Sequence, residues 1–127
     1  MSFPPRPVPT VSVQEAAKRL EADGPARPLV VDVRDTHEFA RVRAEGAVLL
    51  PLGTFVRRFR ELPVDRPLLL ICASGNRSAT ATAFLLANGY PDVTSVAGGT
   101  FAWLAAGLPV RTGLPAPGEG ELPGTAI

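Results

Sequence analysis

The sequence predicts an α/β protein, with a mostly parallel β-sheet of about five strands and helices on both faces. Short continuous apolar runs, typical of strands covered on both sides, alternate along the chain with segments whose apolar residues recur at helical spacing. No internal repeat interrupts this alternation. The length of 127 residues corresponds to one domain with a single hydrophobic core.

The N-terminal quarter contains one predicted helix between two predicted strands. Val11 ends a short strand, and Ser12 with Glu15 forms a capping box that begins a helix. The pair Gly24-Pro25 is expected to close that helix. Residues 29–33 form a continuous, largely β-branched run, which predicts a strand covered on both faces.

The middle of the chain continues the alternation. Asp35 and Thr36 are suited to cap a short helix that runs through Phe39. Residues 47–50 are an apolar run that predicts a strand, and residues 52–62 carry apolar side chains at helical spacing.

The C-terminal half repeats the pattern with stronger signals. Residues 68–71 are the most apolar strand candidate, and residues 77–88 predict a deeply packed helix with Gly89 at its C′ position. Residues 93–96 predict a further strand, and residues 100–106 predict the last helix.

Composition divides the chain into three parts. Residues 1–10 are a proline-rich N-terminal arm, residues 11–110 are the folded domain, and residues 111–127 are a Gly/Pro-rich C-terminal tail expected to be loose. The formal charge of +1 gives no reason to expect a nucleic-acid or membrane partner. A monomer is the default expectation.

Cysteine usage and hydropathy indicate a cytoplasmic protein. A single cysteine cannot form an intrachain disulfide, which favours a reducing compartment. Prolines interrupt the N-terminus where a signal peptide would need an apolar core, and no apolar run is long enough to span a bilayer.

The most informative stretch is the loop that joins the strand of residues 68–71 to the following helix. Cys72 comes directly after the strand, and sites in α/β sheets form at the carboxyl ends of strands. The free N–H groups at the start of the next helix and the dipole of that helix both favour an anion there. The dipole contributes about 0.3–1 kcal/mol at an exposed site and up to about 2 kcal/mol at a partly buried one. That corresponds to roughly one pKa unit, so we expect a thiolate that is unusually populated at neutral pH.

The rest of the loop has residue types that fit an anion cradle around Cys72. Gly75 permits the backbone to curl toward one centre, Arg77 adds a fixed cation, and Ser78 either donates to the sulfur or caps the helix. The expected cradle consists of six residues: Ala73, Ser74, Gly75, Asn76, Arg77 and Ser78.

Four motifs, in order, resemble those of the rhodanese family. They are the loop Cys-x-x-Gly-x-Arg-Ser, the earlier Asp32-Val33-Arg34 with Glu38-Phe39, Gly46-Ala47 before Pro51, and Gly98-Gly99 with Trp103, Gly107 and Pro109-Val110. The resemblance assigns residues 11–110 to a rhodanese domain and implies the rhodanese-like α/β fold.

The chain departs from the family pattern at three places. Residues 42–45 replace the Gly-His-Ile-Pro that members commonly carry, and Leu49 stands where Asn is frequent. Ala73 stands where many small members carry Arg. The cradle is therefore less positive than theirs, which weakens the case for a small dianion such as thiosulfate as the preferred donor.

The resemblance implies sulfur transfer through a Cys72 persulfide, with no metal or organic cofactor. The Cys72 thiolate takes a sulfane sulfur from a donor such as thiosulfate or a low-molecular-weight persulfide, and a thiol or cyanide then accepts it. A protein sulfur acceptor is an alternative, in which the domain is a sulfur carrier or docking module.

Phosphate chemistry is the rival for the loop. Cysteine phosphatases and arsenate reductases generally need Cys-x5-Arg, whereas Cys72 and Arg77 are spaced as Cys-x4-Arg, and the loop lacks an acidic residue for general acid catalysis. Cys72 as a merely buried small hydrophobe is the other alternative.

Several residues near the motifs have two interpretations. Asp32 and Arg34 either form a structural pair or lie on the rim of the site, and Arg34 and Arg43 are candidate contacts for the donor anion. His37, the sole histidine, is expected on an exposed helix without a catalytic part. Phe101, Trp103 and Leu104 are expected in the core or against the loop, and a solvated face or an acidic-partner site is expected at Arg57, Arg58 and Arg60.

Overall fold

The computed structural model describes residues 7–124, and the N-terminal residues 1–6 of the predicted arm lie outside the described residues. The described part of the chain contains seven strands: β1 (Thr10–Val11), β2 (Leu29–Asp32), β3 (Val42–Ala44), β4 (Val48–Leu49), β5 (Leu68–Ile71), β6 (Val93–Val96) and β7 (Val110–Thr112). Five of them form a parallel sheet in the order β1-β6-β5-β2-β4. This confirms the predicted parallel sheet.

The central strands are apolar on both faces because both faces are covered. Every residue of β2, β5 and β6 is buried. Val31 and Leu70 point into one core cluster, whereas Val30 and Leu69 point into the other. The parallel register pairs Asp32 with Ile71, so the carboxyl ends of β2 and β5 lie side by side.

Helices cover both faces, as predicted. Their bounds are α1 (Val13–Arg19), α2 (Thr36–Arg41), α3 (Leu52–Arg58), α4 (Asn76–Ala87) and α5 (Gly99–Ala105). Phe55 of α3 and Leu85 of α4 belong to one core cluster, and Val13 of α1, Phe39 of α2 and Trp103 of α5 belong to the other. None of the helices between residues 7 and 124 is long and apolar enough to cross a bilayer.

The two predicted helix starts with acidic N3 residues behave differently. Asp35 caps α2, and its side chain and that of Glu38 make both bonds of a capping box. Ser12 caps α1 by accepting from the Glu15 N–H at 3.1 Å, but the Glu15 carboxylate turns to Arg19 at 3.2 Å. The full box predicted for α1 is therefore replaced by an i,i+4 ion pair.

Helix ends are the least well predicted boundaries. α1 stops at Arg19, well before the predicted breaker Gly24, which begins a separate 3-10 turn. α3 likewise passes into a 3-10 turn over Phe59–Glu61. α4 fits the prediction to within one residue, and Gly89 follows it with φ +93°, a left-handed conformation that suits glycine.

A small second sheet was not predicted. β3 and β7 pair antiparallel, with Arg43 opposite Arg111. Each has three residues and no clear alternation of apolar and polar side chains, so the local pattern carries no signal for them.

The C-terminal segment is packed on the domain, so the prediction of a loose tail is wrong for residues 113–124. Leu122 is buried in the core, and the Leu49 N–H donates to the Gly120 carbonyl at 2.7 Å. The segment thereby covers the outer edge of β4, which would otherwise present unpaired backbone groups. We call residues 113–124 the C-terminal strap; residues 125–127 lie outside the described residues.

Candidate active site

Cys72 lies at the carboxyl end of the central strand β5. It is 1% exposed, and its thiol is free. The chain turns through Ala73 and Ser74 and enters α4 at Asn76. The strand direction and the buried apolar run thus place the sulfur at the base of a loop that opens onto a helix N-terminus, where an anion is favoured.

Two groups from the loop contact the Cys72 sulfur. The Gly75 N–H donates to Sγ at 3.0 Å. The Ser78 Oγ lies 3.4 Å from Sγ, within range for the thiol to donate to the hydroxyl or for the hydroxyl to donate to a thiolate. Ser78 is fully buried on the first turn of α4, where Gly75 is the N-cap and no side chain caps the helix, so the structure places Ser78 against the sulfur and does not support the capping alternative.

The curl of the loop depends on Gly75. Its φ of +113° lies in the region that L side chains rarely adopt. A Cβ at this position would still have ordinary space, since the nearest atom is the Gly98 nitrogen at 3.5 Å. Backbone conformation, and not crowding, is therefore the reason for a glycine here.

The N-terminus of α5 holds the other side of the loop. The Cys72 carbonyl accepts from the Thr100 N–H at 2.8 Å and from the Thr100 hydroxyl at 3.1 Å, and the Ala73 carbonyl accepts from the Phe101 N–H at 3.1 Å. In a trans peptide the C=O and the following N–H point in opposite directions. The N–H groups of Ala73 and Ser74 are therefore directed away from α5, and that of Ser74 is one of the N–H groups that bond to the Cys72 sulfur.

Opposing effects act on the thiol, and the hydrogen bonds prevail. Burial by itself raises the pKa of Cys72, but hydrogen bonds from the Ser78 hydroxyl and from the N–H groups of Ser78, Gly75 and Ser74 lower it below its ordinary value. Thiolate is thus more populated at neutral pH than in a free cysteine.

Arg77 is not a free cation. Its guanidinium makes two hydrogen bonds to the Glu38 carboxylate, at 2.8 and 2.9 Å, across the gap between α4 and α2. The Arg77 side-chain bonds lower the pKa of Glu38 from its ordinary value to about 2, and Glu38 raises the pKa of Arg77. The positive charge expected beside the sulfur is therefore largely balanced by a carboxylate.

The remaining loop residues contribute backbone rather than side chains. Ser74 and Asn76 are exposed, and Ala73 is half-buried. No charged side chain of the loop other than Arg77 stands near the sulfur, so the cradle is built mainly from N–H groups and one hydroxyl.

Asp32 and Arg34 form a buried structural pair. Asp32 is 0% exposed and Arg34 is 3% exposed, and the shortest bond between their side chains is 2.8 Å. Arg34 also donates to the Val42 carbonyl at 2.7 Å. Removing either partner would leave a buried charge unpaired. These contacts favour the scaffold interpretation over a position on the rim of the site.

Arg43, the other candidate for binding the donor anion, is committed elsewhere. Its side chain is 3% exposed and pairs with Glu119 of the C-terminal strap at 2.6 Å. It also donates to the carbonyls of Phe39 and Gly113. Arg43 therefore holds the C-terminal strap on the domain. The sequence had suggested that it binds the anionic sulfur donor.

The aromatic and basic residues divide between core and surface. Trp103 is buried and its Nε1 donates to the Pro109 carbonyl at 2.8 Å. Phe101 and Leu104 are exposed, so of the two expected positions, core or against the loop, the core is wrong for both, while the Phe101 N–H contacts the loop at the Ala73 carbonyl. His37 is exposed, as expected.

On the basic face, Arg57 is exposed, Arg58 pairs with Glu61, and Arg60 stacks on the Phe59 ring.

Two further residues belong to the site but escaped the sequence analysis. Thr100 fixes the Cys72 carbonyl, and Ser95 of β6 lies 2.8 Å from the Ser78 Oγ, oxygen to oxygen. For Ser95, the signal in the sequence was the pair of polar residues, Thr94 and Ser95, inside the predicted strand 93–96. Within residues 7–124 no three His, Cys, Asp or Glu side chains are grouped so as to hold a metal.

Comparison with known proteins agrees with this geometry. Residues 12–106 match the model of the Rhodanese-like domain family. A sulfurtransferase from Allochromatium vinosum is 39% identical over 82 residues, which cover 65% of this chain and 77% of that protein. Thiosulfate sulfurtransferase GlpE from Actinobacillus succinogenes is 37% identical over 84 residues, or 66% of this chain and 76% of the relative.

Solved structures show the same likeness. A rhodanese-related protein from Thermoplasma volcanium superposes with a TM-score of 0.74 at 27% identity, covering 81% of this chain and 97% of that one. Thiosulfate sulfurtransferase from Pseudomonas aeruginosa superposes with a TM-score of 0.73 at 27% identity, covering 84% of this chain and 20% of that one. The chain belongs to the rhodanese-like family. Within that family it is a rhodanese-type sulfurtransferase.

Proposed function

We propose that Cys72 is the nucleophile that carries sulfur between a small donor and a nucleophilic acceptor. The observation that carries the proposal is the convergence of the Gly75 N–H and the Ser78 hydroxyl on a buried sulfur at 3.0 and 3.4 Å. Donors aimed at a sulfur stabilise an anion there, whether a thiolate or a persulfide.

The transfer consists of two half-reactions. The Cys72 thiolate attacks the outer, sulfane sulfur of the donor, an S–S bond forms on Cys72, and the donor's own S–S bond breaks with its electron pair leaving on sulfite or a thiolate. The outer sulfur, about 2 Å from Sγ, is then attacked by a thiolate or cyanide, and the Cys72 thiolate is regenerated. No electrons are gained or lost overall, so no redox partner is needed.

The charges around the loop favour an organic persulfide over thiosulfate as the donor. Arg77 is paired with Glu38, and Arg34 and Arg43 are buried in ion pairs. Thiosulfate brings two negative charges directly to the reacting sulfurs, whereas the leaving thiolate of an organic persulfide carries one. A cradle of N–H groups with a balanced cation suits the less charged donor.

Steady-state kinetics test both the chemistry and the donor. Rates measured over a grid of donor and cyanide concentrations should give the parallel double-reciprocal lines of a ping-pong mechanism, with a higher kcat/KM for glutathione persulfide than for thiosulfate. Intersecting lines would contradict a covalent sulfur carrier, and a preference for thiosulfate would contradict the assigned donor. Phosphate release from aryl phosphates would favour the rival phosphatase chemistry.

An added charge in the loop gives a second test of the donor. We expect Ala73→Arg to raise kcat/KM for thiosulfate about fivefold, because one unit charge at about 4 Å contributes about 1 kcal/mol even in water. The persulfide rate should change less. Asn76→Arg, at an exposed loop position, is the matched control for a general increase in positive charge. An equal gain for both donors in Ala73→Arg would argue against charge selection at the cradle.

A further inference from the structure

A pair of hydroxyl groups lies behind the Cys72 sulfur. The Ser78 Oγ is 3.4 Å from Sγ, and the Ser95 Oγ is 2.8 Å from the Ser78 Oγ. Ser78 is 0% exposed and Ser95 is 2% exposed. Ser95 comes from β6, the strand next to β5, and its backbone is paired in register with Leu70. The second hydroxyl is therefore fixed by the sheet and not by the loop.

Either hydroxyl can donate in the bond between Ser78 and Ser95, and counting hydrogens shows which direction leaves a donor for the sulfur. A serine hydroxyl has one hydrogen to donate and two lone pairs. The Ser78 hydrogen has two acceptors besides Ser95: the Gly75 carbonyl at 3.1 Å and the Cys72 sulfur. If Ser78 donated to Ser95, neither of these would receive it. Donation from Ser95 to Ser78 leaves the Ser78 hydrogen free for them.

This arrangement accommodates both states of the sulfur. With a neutral thiol, the S–H donates to Ser78, which donates to the Gly75 carbonyl. With a thiolate, the Ser78 hydroxyl rotates its hydrogen to Sγ. The Gly75 carbonyl keeps a partner in both states because it also accepts from the Ala79 N–H at 3.1 Å. In both states the Ser95 hydroxyl donates its hydrogen bond to the Ser78 oxygen.

We infer that Ser95 is a positioning residue which, by donating to Ser78, directs the one Ser78 hydrogen onto the Cys72 sulfur and so stabilises its anionic forms. The inference rests on the proposed function, since it concerns the same nucleophile. Hydrogen bonds in a chain polarise one another, by about 10–30% per bond, so a Ser78 hydroxyl that accepts from Ser95 is a stronger donor.

The charged residues near the Cys72 sulfur lie on elements other than β6, and a substitution at Ser95 leaves their charges unchanged. Arg77 of α4 interacts electrostatically with Cys72 and is paired with Glu38 of α2, and the pair Asp32 and Arg34 lies at the end of β2. β6 and α5, which also pack on the loop, contain no ionisable residue. A shift in the pH profile of Ser95→Ala therefore reports on the hydroxyl chain.

The test is the pH dependence of Cys72 alkylation by iodoacetamide, which needs no sulfur donor. The rate rises with pH as the thiol ionises. In Ser95→Ala the midpoint should move up by about 0.1–0.7 pH units, the size expected when a bond to a charged sulfur loses 10–30% of its strength. Ser95→Thr keeps a hydroxyl and should restore the profile. Thr94→Val, which removes a buried hydroxyl from the opposite face of the same strand, should leave it unchanged.

A double-mutant cycle separates positioning from a general loosening of the site. Once Ser78→Ala has removed the intermediary, Ser95→Ala should cause no further shift of the midpoint. An unchanged midpoint in Ser95→Ala, or an equal further shift in the Ser78→Ala background, would overturn the inference. The two proposals can fail separately. If the wild-type protein gains sulfur on Cys72 but the alkylation midpoint of Ser95→Ala equals that of the wild type, the proposed function stands and only the role of Ser95 is rejected.

Discussion

The loop around Cys72 is held from two sides by groups that no single motif describes. On the sulfur side, the Gly75 N–H and the Ser78 hydroxyl converge on Sγ. On the other side, Thr100 binds the Cys72 carbonyl through both its N–H and its hydroxyl. Binding of the Cys72 and Ala73 carbonyls to α5 directs the N–H groups of those two peptides away from α5, so the turn that brings α5 close also determines the shape of the loop.

Gly99 makes that close approach feasible, and its replacement gives a prediction. A Cβ on Gly99 would lie 2.3 Å from the Cys72 carbonyl oxygen and 2.6 Å from that of Ala73. Both atoms are backbone, so the loop itself must shift. We expect Gly99→Ala to lower kcat/KM about 10²-fold, the cost of displacing a reacting group by about 1 Å.

Gly107 is the matched control for Gly99. It also has a positive φ, +71° against +57° at Gly99, but a Cβ there meets nothing within 4 Å. Gly107→Ala should therefore cost about 1–3 kcal/mol in unfolding free energy from backbone strain and leave the catalytic rate intact. Similar kinetic losses in both variants would mean that strain alone, and not contact with the loop, accounts for the effect.

Between elements, the ion pair of Arg77 and Glu38 joins the active-site helix α4 to α2. Glu38→Gln removes the negative charge while keeping a side-chain oxygen for the capping bond from the Asp35 N–H. Arg77 is then unbalanced, and kcat/KM for thiosulfate should rise about fivefold. The stability loss should stay below about 1 kcal/mol because both side chains are partly exposed.

Glu45→Gln is a suitable control for Glu38→Gln, since Glu45 forms an exposed pair with Arg111 at 3.4 Å on a different part of the surface. It should change neither donor rate. A thiosulfate rate that falls in Glu38→Gln, in step with the persulfide rate, would show that the pair positions the loop and does not set its charge.

The elements that the sequence predicts well are those whose signal is local. The strands at residues 68–71 and 93–96 have the predicted bounds because both are short segments bounded by turns, the first wholly apolar and the second begun and ended by valine. The pairing of β3 with β7 was missed because each strand is held only by a partner far along the chain. For the same reason the sequence points to Cys72 and its loop, but not to Ser95 or Thr100, whose parts depend on neighbouring elements.

Across the whole molecule, the C-terminal strap connects the far end of the chain to the region of the site. Glu119 pairs with Arg43, and Gly120 lies against the Phe39 ring, where a Cβ would come within 2.9 Å. Phe39 belongs to α2, the helix that also carries Glu38. A Gly/Pro-rich segment has no periodic pattern of apolar residues. The contacts of Glu119 and Leu122 that hold the strap on the domain could therefore not be predicted from the sequence.

The strap makes the stability of the fold sensitive to acid. Hydrogen bonds from Arg43 and from the Ala116 N–H lower the pKa of Glu119 from 4.5 to about 2, and Arg77 lowers that of Glu38 to about 2. Between these values the unfolded chain binds more protons than the folded one, so unfolding free energy falls as the pH falls from about 4.5 to about 2. Urea titrations at several pH values should show this slope.

Replacing Glu119 should flatten part of that slope. Glu119→Gln leaves Arg43 as a buried cation without its partner, so the variant should be less stable at neutral pH and should lose less stability in acid. Glu121→Gln, two residues along and exposed, should behave like the wild type. An acid slope in Glu119→Gln as steep as that of the wild type would remove Glu119 from the explanation.

The central claim is that Cys72 carries sulfur covalently, and intact mass spectrometry tests it most directly. Because Cys72 is the single cysteine of the chain, any persulfide must form there. Protein incubated with glutathione persulfide or thiosulfate and then desalted should gain about 32 Da, one sulfur atom, and lose it again when cyanide is added. Cys72→Ser should gain nothing. A wild-type protein that gains no sulfur from either donor would contradict the account.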